Sequence, residues 1–200
     1  MRLFVAIEIE SDTREKITTF LDGVRKFAPD AIWVRPESLH ITLKFIGEKS
    51  EQEADHIKRG LGTILAGAFD MNIRSCGFFP TTRAPRVFWI GVDAGPELGA
   101  LAASIDRALA EIGIPKEEHA FKPHLTLARA GDSRRVRKHG DKNRPASFHV
   151  LQKKLTALSA PEFGTMTARE FFLYQSRLSP GGSKYTKLVR FALQERFQTS

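Results

Sequence analysis

One tetrapeptide pattern occurs twice in this 200-residue chain, once in each half: His40-Ile41-Thr42-Leu43 and His124-Leu125-Thr126-Leu127. Proline lies shortly before the first copy (Pro36) and directly before the second (Pro123). In a chain with only six histidines, that match is too improbable to be chance. The pattern dictates a strand. Residues two apart on a strand share a face, about 6.6 Å from each other. His40 and Thr42 therefore share one face, while Leu39, Ile41, Leu43 and Phe45 share the other, which is expected to be the core. His124 and Thr126 likewise stand opposite Leu125 and Leu127. Each copy is expected to present an imidazole and a hydroxyl on the outer face of a strand held down by its apolar side.

If the two strands flank one cleft, four groups converge. Two imidazoles titrate near neutrality, so one can accept a proton while the other donates. The hydroxyls of Thr42 and Thr126 can donate to non-bridging phosphate oxygens. That set suits cleavage of a phosphodiester by water: a neutral histidine deprotonates the water and a protonated one serves the leaving oxygen. Surroundings alone can separate the pKa values of two identical side chains. One such histidine by itself would read as a satisfied strand residue and its threonine as a β-former; the matched pair is what argues for chemistry.

Competing chemistries lack their residues. No histidine or cysteine pair has zinc-ligand spacing, and His56, His119, His139 and His149 stand in no recognisable arrangement with carboxylates. There is no Gly-x-Ser-x-Gly elbow and no glycine-rich phosphate loop. No metal is expected. Cys76, the single cysteine, cannot form an internal disulfide and reads as a small apolar residue.

Ser11 or Asp12, with Glu15, is expected to cap a helix carrying Ile17, Phe20, Leu21, Val24 and Phe27 on one face. Ser50 and Glu53 mark a second capping box before Ala54, Ile57, Leu61, Ile64 and Leu65, although Gly60 and Gly62 weaken that helix. Leu98, Leu101, Ile105, Leu109 and Ile112 define a third, and Val150, Leu151, Leu155 and Leu158 a fourth. Strands are expected over 3–9, 32–34, 39–46, 69–79, 87–92, 124–129, 171–174 and 188–193. Several are joined by short turns, so antiparallel sheets with helices on one side fit better than a parallel stack. No linker separates two units. The opening apolar run is too short for a signal peptide and no stretch is long enough for a membrane span, so a cytoplasmic chain is expected. The net charge of +8 favours polyanionic partners and excludes nothing by itself.

With these residues in hand, the sequence resembles the two-histidine phosphoesterase superfamily, defined by paired His-x-Thr-x motifs, and within it the bacterial and archaeal RNA 2′,3′-cyclic phosphodiesterases, earlier described as 2′–5′ RNA ligases. Arg2 to Ile7 looks like the opening strand of that family. Ser38 to Glu48 looks like its first motif and Phe121 to Arg129 its second, and Leu173 to Ser176 followed by Tyr185 to Leu188 fits its ending. The resemblance covers nearly the whole chain. It implies an α+β fold over residues 1–200: one domain of two pseudo-symmetric lobes of antiparallel sheet, helices outside and the active-site cleft between the lobes. It implies His40 as proton donor, His124 as acceptor of the water's proton, a 2′-phosphomonoester product, and no cofactor. Its partner is RNA or a nucleotide with a 2′,3′-cyclic phosphate end. A monomer without obligate protein partner or membrane contact is expected.

By the same resemblance Phe45 and Arg129, each five residues past its histidine, match residues that contact the base and the phosphate. Strict alternation turns both away from the cleft, so a bulge or the strand's end must re-aim them. Phe45 reads equally as core or as a stacking platform, and Arg129 equally as a surface arginine or a phosphate clamp. Alternation puts Lys44 on the His40 face, as a solvated lysine. Arg134 to Arg144 is a basic stretch, either a solvated loop or an approach for RNA. Tyr174 and Tyr185 are candidates to line the cleft. Two other readings stay open: 2′–5′ RNA ligation by the same site, and a non-catalytic RNA-binding module.

Overall fold

Two antiparallel strands, β3 (His40–Glu48) and β6 (His124–Arg129), carry the repeated motif and lie side by side at the middle of one sheet. The structure, a computed structural model, describes residues 1–131, 148–157, 159–179 and 182–195. The other strands are β1 (Arg2–Glu8), β2 (Ile32–Trp33), β4 (Phe69–Pro80), β5 (Pro85–Ala94), β7 (Glu162–Ala168), β8 (Glu170–Ser179) and β9 (Gly182–Ala192). Four α-helices accompany them among the described residues: α1 (Ser11–Val24), α2 (Glu51–Gly62), α3 (Pro96–Ala110) and α4 (His149–Leu155).

The strand order is β7-β4-β5-β6-β3-β1-β8-β9, with β2 paired to β6 off this path. Read outward from the centre, β3-β1-β8-β9 and β6-β5-β4-β7 are two four-stranded antiparallel halves. They meet through one residue pair, Ile41 with Leu125. Those residues follow their histidines by one position each. Pairing of equivalent residues on antiparallel strands is what a local twofold axis requires, so the axis passes between the two motifs. The expected pseudo-symmetric α+β architecture is the one observed.

The helices cover one face. Ile17, Leu21 and Val24 of α1, Ala54, Ile57 and Leu61 of α2, and Leu98, Leu101, Ile105 and Leu109 of α3 join one core with Leu3, Val5, Ile7, Ile41, Leu43, Ile90, Leu125 and Leu127 of the sheet. Burying each of these side chains stabilises by roughly 1.5–3 kcal/mol before entropy is counted. The other face of β1 and β8 holds a small cluster, Phe4, Ala6, Phe172 and Tyr174, with Tyr185 against it. The histidines are on that face.

Several expectations change. The Ser50–Glu53 capping box forms as expected, with reciprocal bonds of 3.2 and 2.8 Å, and the glycines of α2 do not prevent its helix. At α1 the cap is Glu10, and no side chain caps the helix: Ser11 and Asp12 are already inside it, and the Ser11 hydroxyl is 3.3 Å from Asp12 instead. Strand β7 is an addition to the expected set. Its buried residues Phe163, Met166 and Ala168 are irregularly spaced and Gly164 sits at φ 102°, so it lacks the alternation that marks a strand. Leu158 and the basic stretch from Arg134 to Arg144 lie outside the described residues.

Candidate active site

Both motif strands carry a bulge at the same place. Between β1 and β3 the register runs from Ala6–Thr42 to Val5–Lys44 and passes over Leu43. Between β5 and β6 it runs from Trp89–Thr126 to Phe88–Ala128 and passes over Leu127. An extra residue on one strand interrupts the alternation. From histidine onward both strands then read half-buried, buried, half-buried, buried, buried, exposed.

The bulge reassigns the two positions beyond it. Lys44 turns to the core side and is 2 % exposed, not solvated on the cleft face. Phe45 turns back to the His40 side and is 59 % exposed, so it is not a core residue. Its ring lies 6.4 Å from Phe4, which in turn lies 4.9 Å from the His40 ring. Arg129, at the matching position of β6, is exposed on the histidine side, close enough that its guanidinium disfavours protonation of both His40 and His124.

The imidazoles are held alike. Nδ1 of His40 is 2.7 Å from the Ser38 carbonyl oxygen, and Nδ1 of His124 is 2.7 Å from that of Lys122. A carbonyl oxygen can only accept, so each Nδ1 carries a hydrogen and each neutral ring leaves Nε2 as a free base. Burial pushes both imidazoles below their ordinary pKa. The carbonyl bonds oppose this; Arg129 adds to it at both sites, and the charge of His124 adds to it at His40. Thr42 and Thr126, two residues on from their histidines, are half-buried with them.

The walls differ. His40 is packed against Phe4, Tyr185 at 5.1 Å and Tyr174 at 6.2 Å, with Phe4 and Tyr174 stacked at 5.1 Å. Burial pushes the Tyr174 hydroxyl well above its ordinary pKa. Glu8 pairs with His40 across β1 and β3 and is bound by Lys187 at 2.6 Å and Arg14 at 3.4 Å. His124 meets the edge of Phe79 at 5.1 Å, and Phe79 packs on Trp89 at 5.0 Å. Trp89 lies across Gly77, where a Cβ would collide with the indole; a side chain there is incompatible with this wall. Sequence reasoning named the tyrosines but missed Phe4, Phe79 and Trp89. The alternation of β1 sets Phe4 opposite Leu3 and Val5 and is the signal that exposes it.

The site can therefore bring two neutral-form imidazoles, two hydroxyls and one guanidinium to a phosphate, with an exposed aromatic ring beside it. Among the described residues no group of three or more His, Cys, Asp or Glu is arranged to hold a metal ion.

Known proteins resemble this chain over nearly its whole length. The family model described as LigT like phosphoesterase matches twice, over residues 7–89 and 90–185, one match per half. The RNA 2′,3′-cyclic phosphodiesterase of Archaeoglobus fulgidus is 34% identical over 191 residues, covering 96% of this chain and 99% of that protein. The crystal structure of TT0787 of Thermus thermophilus superposes with a TM-score of 0.77 at 29% identity, covering 98% of this chain and 100% of that one. E. coli LigT complexed with 3′-AMP superposes at 0.74 and 27% identity, covering 96% and 97%.

Proposed function

Because the chain belongs to the LigT-like phosphoesterase family, we propose that it hydrolyses the 2′,3′-cyclic phosphate ends of RNA or nucleotides, and that residues 1–200 act as one two-lobed catalytic unit. The observation that carries this is the matched presentation of His40 and His124, each with Nδ1 fixed on a carbonyl and Nε2 left free.

Nε2 of neutral His124 takes a proton from water. The water oxygen attacks phosphorus, the bond from phosphorus to the 3′ oxygen breaks, and protonated His40 gives that oxygen its proton. The product is a 2′-phosphomonoester. Thr42, Thr126 and Arg129 hold the non-bridging oxygens as negative charge builds on them, and Phe45 supports the base. No step requires a metal ion.

In the free protein, burial and Arg129 keep both rings below their ordinary pKa. An arriving phosphate anion offsets Arg129 and favours the protonated form of one ring, so the substrate helps to load its own acid. A module that only bound RNA would need cations, not two imidazoles with free Nε2 atoms.

The test is incubation with a 2′,3′-cyclic nucleotide and with a short RNA carrying that end, in EDTA, with products separated by chromatography. Turnover to a 2′-phosphate is expected. No turnover of either substrate would sink the reading, and a 3′-phosphate product would reverse the assigned leaving oxygen.

A further inference from the structure

The two halves share one ladder pair, Ile41 with Leu125, so something further must fix the spacing of their histidines. In one direction the link is backbone. Strand β2, which precedes His40, crosses to β6: Ile32 pairs with Arg129, Trp33 with Ala128, and Val34 N donates to Leu127 O at 2.8 Å. The segment before His124 has no such strand among the described residues. Lys116 precedes His124 by as many residues as Ile32 precedes His40, and this is where Lys44 of β3 reaches.

The Lys44 ammonium donates to the Pro115 carbonyl at 2.8 Å and to Asp106 Oδ1 at 2.5 Å, and lies 3.8 Å from Glu117 Oε1. Asp106 Oδ1 also accepts the Glu117 backbone N–H at 3.1 Å. Burial pushes the Asp106 carboxyl up, but Lys44 and that N–H outweigh it and hold the group below its ordinary pKa. Lys44 follows His40 by as many residues as Ala128 follows His124, and Ala128 is one of the two residues on which β2 pairs. At equivalent positions, one half grips its partner's approach segment by a strand and the other by a buried cation.

We propose that Lys44 is a positioning residue for the phosphodiesterase reaction. With Asp106 it clamps the chain that leads through Lys122, whose carbonyl orients His124, onto the strand that bears His40, and so sets the separation of the two imidazoles. This rests on the proposed phosphodiesterase reading. The cation itself is 1 % exposed and lies on the core side, so it touches no substrate. Misplacing a catalytic group by about 1 Å from a distance can cost about a hundredfold in rate, while ground-state binding is less sensitive.

The test compares wild type, Lys44→Met, Asp106→Asn and the double variant Lys44→Met/Asp106→Leu. The double variant removes both charges together, so no buried charge is left unpaired and folding is restored without the clamp. In Lys44→Met and the double variant kcat is expected to fall about 10- to 100-fold with KM changed less than about threefold. Asp106→Asn keeps an acceptor for Lys44 and is expected to lose less. Ring-nitrogen NMR supplies a readout independent of turnover: His124 is expected to lose its single Nδ1–H form in the double variant while His40 keeps its own. A folded double variant with wild-type kcat and an unchanged His124 ring would overturn the proposal, even where Lys44→Met alone fails to fold. Absence of turnover in wild type would instead overturn the phosphodiesterase reading, and the His124 signal would still decide the clamp.

Discussion

His40 stands against three aromatic rings, Phe4, Tyr174 and Tyr185, whereas among the described residues His124 meets only Phe79. The strands beneath them are matched in bulge, burial and carbonyl partner. The repeated motif thus fixes where each imidazole points and which nitrogen it offers. What differs is the wall, and under the proposed mechanism the wall is where two identical side chains acquire different duties. The residues at the fifth position sharpen this: an apolar ring, Phe45, in one half and a cation, Arg129, in the other. Equal scaffolds carry unequal ends, which fits the proposed substrate, with a base on one side and a phosphate in the middle.

The comparison can be broken from either side. Arg129→Met should have the largest effect among the binding positions. A charged hydrogen bond is worth about 1.5–3 kcal/mol, so kcat/KM is expected to fall about 10- to 100-fold, and NMR titration should show the pKa of both histidines rising as the opposing charge is lost. Phe45→Ala should act on the other end. Stacking on an aromatic ring contributes about 1–3 kcal/mol per base, so KM for cyclic nucleotides is expected to rise about tenfold and by similar factors for all four bases, with kcat little changed. Thr42→Val and Thr126→Val each remove one hydroxyl donor to a charged oxygen and should each cost about tenfold in kcat/KM, the low end for such a bond; a large inequality between them would show that the phosphate leans on one half.

The pH profile follows from the direction of the shifts. Both imidazoles are held below 6.5 in the free protein. In the proposed mechanism His124 must be unprotonated and His40 protonated, so both limbs of the kcat/KM profile are expected on the acid side of 6.5. Bound phosphate stabilises the protonated donor, so the falling limb of kcat should lie at higher pH than that of kcat/KM. Rate measurements from pH 5 to 8 with a cyclic nucleotide check both statements.

Much of the site was legible in the chain itself. The repeat located both histidines and both threonines, and alternation gave their faces up to Leu43 and Leu127. It failed one residue later. A bulge is a property of paired strands, and neither β1 nor β5 can be assigned as a partner from the motif alone. Lys44 and Phe45 therefore exchanged faces relative to expectation, while Arg129 needed the same displacement to reach the histidines. The core stripes of α1, α2 and α3 were read from their spacing because a helix sets its own period. Strand β7 was not, because an edge strand with a glycine at positive φ shows no period. Phe79 and Trp89 reach the cleft through the pairing of β4, β5 and β6, which no local pattern announces.

The most direct measurement is kcat for a 2′,3′-cyclic nucleotide in EDTA with wild type, His40→Ala, His124→Ala and the double variant. If the two halves form one acid/base unit, each single change should lower kcat by about 10²- to 10⁴-fold and the double should fall little further. A single variant that keeps wild-type turnover, or a double variant whose loss is the full product of the two, would show that the two histidines do not act as one unit.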